Sequence, residues 1–301
     1  MGHHSHGHGT GRVLVVSLIL TLAFVIGETV AGFRSHSLAL LSDAGHNFTD
    51  AIGLVLAGIG YYWQSRPGNQ FKTFGYHRMG VLAAFFNALL LAALAAALFY
   101  ESYLRIRNPR PVAEGVMIWV AGIGLALNLG IAWSLDGNRG DLNLRAAWVH
   151  MLGDAASCLG IILGAVLIYF TGWLAIDPLL SLLIGAAIVW TAWDIFKDSI
   201  NILLEGLPKG LKLSEVTREI RQVSGVIDVH DLHIWSLGSE AHALSCHVLI
   251  ADMPPSESDS ILRDVNGVLG RRFHIHHTTV QFEHSRCLLA NESCNLIRHT
   301  H

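Results

Sequence analysis

Six runs of mostly apolar residues, each about as long as or longer than the stretch of roughly 20 that a helix needs to cross ~30 Å of hydrocarbon, decide most of what this chain can fold into. They cover Val13–Phe33, Leu38–Trp63, Met79–Tyr100, Gly115–Leu135, Leu142–Thr171 and Asp177–Trp193. The third and fourth contain no charged residue, and the first contains only Glu28. In hydrocarbon the backbone must satisfy its own N–H and C=O groups, so such runs are helices. The first is too long for the apolar part of a signal peptide and no small-residue cleavage site follows it, so it counts as a span. A chain of 301 residues that is 52% hydrophobic and 14% charged fits an integral membrane protein better than a soluble domain. Its net charge of -3 is spread along the sequence, which gives no footprint for nucleic acid.

Six spans put both termini on one side. That side would hold Arg12, Arg66, Lys72, Arg78, Arg139, Arg145 and Lys197, against Arg34, Arg105, Arg107 and Arg110 opposite. The excess predicts cytoplasmic termini. Residues 1–11, rich in Gly and carrying His3, His4, His6 and His8, are expected to be disordered. Weak metal collection and an expression tag are both open readings of that tail.

Two of the spans carry ionisable groups where they are costly. His46 and Asp50 stand four residues apart in the second, and His150 and Asp154 repeat the spacing in the fifth. On a helix this spacing stacks both side chains on one face. A charged group at the bilayer centre costs at least about 2.5–3.5 kcal/mol, so something must repay it. A bond to a neighbouring carbonyl explains one such pair; the repetition points to a shared ion. Two imidazoles and two carboxylates suit tetrahedral Zn²⁺, with Co²⁺ and Cd²⁺ as neighbours, whereas Mg²⁺ and Ca²⁺ prefer all-oxygen shells.

From Pro208 the composition becomes that of a small soluble domain, 208–286, followed by a tail, 287–301. Apolar periodicity predicts a helix over Leu213–Val223, strands over Val226–Leu237 and Ala241–Ile250, a helix over Ser256–Phe273 and a strand over Thr278–Glu283. The order α-β-β-α-β predicts two helices on one antiparallel or mixed sheet, an α+β layer of ferredoxin-like, metallochaperone type. Strand alternation puts His230 and His247 on a common face, and Glu283 follows His276 by seven residues. Cys158, Cys246, Cys287 and Cys294 show no CxxC spacing and are read as reduced or metal-facing, with a metal role for Cys287 and Cys294 left open.

With six spans, HxxxD in the second and fifth, the loop Phe74-Gly75-Tyr76-His77-Arg78 and the run His230-Asp231-Leu232-His233-Ile234-Trp235, the chain resembles the cation diffusion facilitator family from Leu14 to Glu283. The likeness is to the zinc, cadmium and cobalt efflux branch, related to animal zinc transporters. It implies a homodimer in a bacterial inner membrane that exports Zn²⁺ in exchange for protons by alternating access. It implies His46, Asp50, His150 and Asp154 as transport ligands, and His230, His247, His276 and Glu283 as zinc ligands at the dimer interface of the cytoplasmic domain. Arg78 and Glu205 match positions of a charge interlock in relatives, beside the plain reading of two solvated charges. Gly80 stands where relatives often have Glu, and no acidic residue accompanies His77, so the loop zinc site of some relatives is not carried over.

Two other classes compete. A membrane metal oxidase or protease would use histidine boxes, but HDLH and HIHH fall in the soluble domain and HExxH is absent from the sequence. A membrane-anchored metal sensor would bind zinc through its C-terminal domain alone and leave the two intramembrane pairs without a purpose.

Overall fold

A computed structural model of the chain describes residues 7–135, 142–238 and 241–285, with the backbone alone at 7–18 and 142–143. Six long helices come first: α1 (Gly7–Ser35), α2 (Leu38–Gln64), α3 (Met79–Arg107), α4 (Glu114–Leu135), α5 (Leu142–Thr171) and α6 (Ile176–Leu203). They are followed by α7 (Leu213–Arg221), β1 (Val226–Ser236), β2 (His242–Ile250), α8 (Pro255–Phe273) and β3 (Ile275–Glu283). Among the described residues, α3, α4, α5 and α6 are long and apolar enough to cross a membrane by length and composition alone. Helix α2 carries Ser42, Asp43, His46, Asn47, Thr49 and Asp50 in its first half, and these polar residues dilute its hydropathy.

Helix α1 begins inside the stretch expected to lack structure, at Gly7; residues 1–6 of that tail, and Cys287 and Cys294 at the other end, lie outside the described residues. Helix α3 runs past the apolar limit at Tyr100 to Arg107, and α6 past Lys197 to Leu203. Polar residues continue a helix once it is nucleated, and long arginines reach water from its end.

The described residues fall into two compact units, one within 7–56 and 86–195 and the other within 57–85 and 196–285. In the first, α4 packs along α5 and against α1. Its core joins Ala39 and Leu40 of α2, Met117 and Ala121 of α4, and Cys158, Ile161, Ala165 and Ile168 of α5. A second cluster joins Leu38 with Leu91, Ala95 and Leu98 of α3 and Ile188 and Ala192 of α6. Small residues let the helices approach: a Cβ on Gly45 would come 2.9 Å from Cδ1 of Leu94. Large apolar side chains such as Trp133 (83% exposed) and Trp190 (82% exposed) face outward, as lipid contact requires. Helices α1 and α2 meet through His36, held in the left-handed region at φ 56°, while the Ser37 N–H closes back on the Gly32 carbonyl at 3.1 Å.

In the second unit, β1 pairs antiparallel with β2, and β2 pairs in parallel with β3, giving the order β1-β2-β3. The sheet is therefore mixed, with α8 as the crossover between the two parallel strands. Val216 and Ile220 of α7, Val265 and Leu269 of α8, and Val229, Leu244, Val248 and Ile275 of the sheet form one core. Strand β3 starts three residues before the alternating pattern, at Ile275, because His274 at φ 55° ends α8 and turns the chain straight into the sheet. In the same unit Arg78 Nη2 lies 3.0 Å from Glu205 Oε1, so the matched charges do form a pair.

Candidate metal centres

The intramembrane pairs meet. His46 Nε2 lies 3.5 Å from Asp50 Oδ2 and 3.8 Å from Asp154 Oδ1. His150 Nε2 lies 3.2 Å from Asp50 Oδ2 and 3.6 Å from Asp154 Oδ2. Each histidine therefore touches both carboxylates, in a ring that alternates nitrogen and oxygen. The two imidazoles stand edge to face with centroids 6.0 Å apart. Tetrahedral ligands at ~2.0 Å from zinc are about 3.3 Å from each other, so the sides of the ring are close to the spacing of a bound ion. Spacing within each helix stacks the members of a pair, and the packing of α2 on the α5 core brings the pairs together.

Asp154 is the most enclosed of the four, with a side chain 5% exposed, and His150 the most open at 45%. A cavity of about 710 Å³ reaches His46, His150 and Asp154 past Arg145, Val149, Gly153, Ile184 and Ile188. His46 Nδ1 and Asp50 Oδ2 are buried without a hydrogen-bond partner among the described residues. Asp50 Oδ2 stands in the ring, and a buried carboxylate oxygen without a donor is what a cation would repay.

Polar groups outside the two HxxxD pairs lie behind this ring. Asp43 is 1% exposed and accepts from the Cys158 thiol at 3.6 Å; Cys158 in turn accepts from Asn128 at 3.8 Å. Glu28 of α1 is fully buried and faces Asp43 and Asn47. Glu28 stood out in the sequence as the one charge of its span, whereas Asp43 was hidden by its nearness to the HxxxD pair.

The second cluster sits in the C-terminal domain. The register pairs His230 of β1 with His247 of β2, so both rings project from one face with centroids 5.3 Å apart. Glu283 closes the group from the end of β3, with Oε2 3.1 Å from His230 Nε2 and Oε1 2.9 Å from His247 Nδ1. One ligand atom from each of the three lies within 4.8 Å of the others, and among the described residues no other trio of candidate ligands meets that test. The intramembrane ring is thus the wider of the two. His230 Nε2 and Glu283 Oε2 are buried and make no hydrogen bond. Two imidazoles and a carboxylate, with His230 Nε2 and Glu283 Oε2 unpartnered, fit a zinc ion that takes a fourth ligand from elsewhere.

His276 is not brought to this group. It lies seven residues from Glu283 on the same strand, an odd interval that points the two side chains to opposite faces. Asp231 joins instead, with Oδ2 3.7 Å from His247 Nε2 and Oδ1 2.9 Å from His233 Nε2. It gets there because a register shift between His230 and His233 places Asp231 at φ 49°, and strict alternation does not foresee that irregularity. On the buried side of β2, burial pushes the Cys246 thiol up to about 12, which suits a packing residue and not a metal ligand.

Residues 14–204 match the model of the cation efflux transmembrane domain, and residues 208–285 that of the cation efflux protein cytoplasmic domain. The chain is 39% identical over 287 residues to the cadmium, cobalt and zinc/H(+)-K(+) antiporter of Bacillus subtilis, covering 94% of this chain and 92% of the other. It is also 39% identical over 287 residues to the metal cation efflux system protein CzcD of Cupriavidus metallidurans (94% and 90% covered). With the zinc transporter ZitB of Escherichia coli it shares 37% identity over 295 residues (94% and 93% covered).

Proposed function

The chain belongs to the cation diffusion facilitator family of cation efflux proteins, and on that premise we propose that it exports Zn²⁺, or the related Cd²⁺ and Co²⁺, from the cytoplasm in exchange for protons. The observation that carries this reading is the alternating ring of His46, Asp50, His150 and Asp154 inside an apolar helix bundle. Zinc enters with the histidines neutral and the carboxylates ionised; a change from inward to outward access follows; protons arriving from outside take the imidazole nitrogens and release the metal. Metal and proton compete for the same imidazole lone pair, so metal binding weakens as pH falls. Two relatives that carry the word antiporter or efflux in their names support exchange and direction.

A counter-ion lowers the energy of export, unless a steep zinc gradient drives it. Moving two charges out against about 100 mV costs roughly 4.6 kcal/mol, and one entering proton returns about half. A pH gradient or further protons supply the rest. His230, His247 and Glu283 hold a zinc ion in the cytoplasmic domain, with both termini cytoplasmic and the domain paired in a homodimer that adds the outstanding ligand, for which His276 is available.

Proteoliposomes loaded with a zinc-sensitive dye test the exchange: zinc uptake rises when a pH gradient drives protons the other way. Uptake indifferent to the gradient would refute antiport. Replacing Asp154 with Ala abolishes uptake while the protein stays folded. The sensor reading makes the opposite forecast, full activity of the domain with the intramembrane pairs removed.

A further inference from the structure

Asp177, at the first turn of α6, is 1% exposed and belongs to neither metal centre. Its carboxylate binds the start of a different helix. Oδ1 accepts from the Ser37 hydroxyl at 2.6 Å and from the Ala39 N–H at 3.1 Å; Oδ2 accepts from the Leu38 N–H at 2.7 Å. The Ser37 hydroxyl then accepts from the Leu40 N–H at 3.2 Å. The first N–H groups of α2, which have no partner inside the helix, are thus satisfied through one residue of α6. The guanidinium of Arg105, on α3, stands 3.7 Å from Asp177 Oδ2, donates to the His36 carbonyl and binds Glu101 at 3.1 Å. A buried carboxylate is stable only with its full set of donors, so this one fixes α2, α3 and α6 in a single arrangement.

The tie continues toward the ring. One turn further in, the Ser42 and Ser181 hydroxyls bond at 2.6 Å, again α2 to α6. Another turn along α2 comes His46, which shares its cavity wall with Ile184 and Ile188 of α6. Helix α6 provides no ligand to the ring, yet its contacts with α2 descend from the helix start to the first histidine.

We propose that Asp177 is a positioning residue for metal binding: by clasping the start of α2 to α6, it sets where His46 and Asp50 stand relative to His150 and Asp154. The inference deepens the transport-site reading and rests on it. Ligands held in register bind the ion in the ground state, so releasing the clasp raises the zinc KM and leaves Vmax nearly unchanged. Groups that orient metal ligands are typically worth about 10–100-fold in metal affinity.

Zinc transport by the full chain in proteoliposomes tests this. Loss of transport in Asp154→Ala first establishes that the ring is the transport site; retained transport would refute that reading itself. Asp177→Asn keeps the shape but loses the charge that Arg105 and two N–H groups share, and its KM rises about tenfold with Vmax within about twofold. A disulfide between Ser42→Cys and Ser181→Cys, verified by peptide mapping, restores the KM of Asp177→Asn, because it replaces the clasp one turn deeper. An unchanged KM, a fall confined to Vmax, or no restoration by the disulfide would overturn the proposal. Should Asp177→Asn fail to fold, Ser37→Ala serves in its place: it removes one hydroxyl of the clasp and raises KM in the same direction, and an unchanged KM there is equally contrary.

Discussion

At the residue scale, each histidine of the intramembrane ring touches both carboxylates, so no single residue can be removed without exposing two others. His150→Ala leaves Asp50 and Asp154 with like charges and one imidazole between them; zinc affinity should fall by at least about tenfold, read by titration of purified protein. In the cytoplasmic domain, Glu283→Ala removes the carboxylate that, among the described residues, reaches both His230 and His247. That variant should bind one zinc fewer per chain than the wild type while its circular dichroism is unchanged, and an undiminished stoichiometry would refute the triad. The legible part of these sites was whatever rests on period alone: HxxxD on a helix face, and His230 opposite His247 on neighbouring strands. Asp231 escaped because a backbone irregularity turns it, and His276 failed to join because seven residues along a strand change the face.

Elements carry a different set of consequences. The domain sheet rests on Leu244 and Val248, both fully buried between the helices. Leu244→Ala should destabilise it by roughly 2–5 kcal/mol in urea titration, the ordinary cost of a core cavity. Burial, and next the neighbouring His274, hold the His242 imidazole below its usual pKa. Its protonated form is thus favoured in the unfolded chain. The stability it supports is present above about pH 6.5 and falls as pH drops through that value toward the lower folded pKa. The domain should lose urea stability between pH 7 and 5, and His242→Gln should flatten the slope; a slope unaltered by that change would exclude His242 as its source. Helix cores were readable from apolar runs, and their ends were not. Nothing in apolarity distinguishes residues 101–107, which continue α3, from a loop, whereas the second span was read to within one residue of α2 despite the polar residues in its first half.

For the whole molecule, the proposed function places one ion in the bundle, where it would exchange with protons, and another in the domain. Coupling then has a definite sign with pH. Acidifying the outer side supplies the protons that displace zinc and should speed export, whereas acidifying the cytoplasmic side protonates the histidines before the metal arrives and should slow it. What the composition could not reveal is the clasp at Asp177, since that contact joins positions about 140 residues apart and follows no period. The most direct test is X-ray absorption of zinc bound to a chain carrying His230→Ala, His247→Ala and Glu283→Ala, which removes the domain triad and keeps the bundle ring intact. The account predicts one zinc per chain with two imidazole nitrogens and two carboxylate oxygens at about 2.0–2.2 Å, lost in Asp154→Ala. A chain that binds no zinc, or binds it equally well without Asp154, would contradict it.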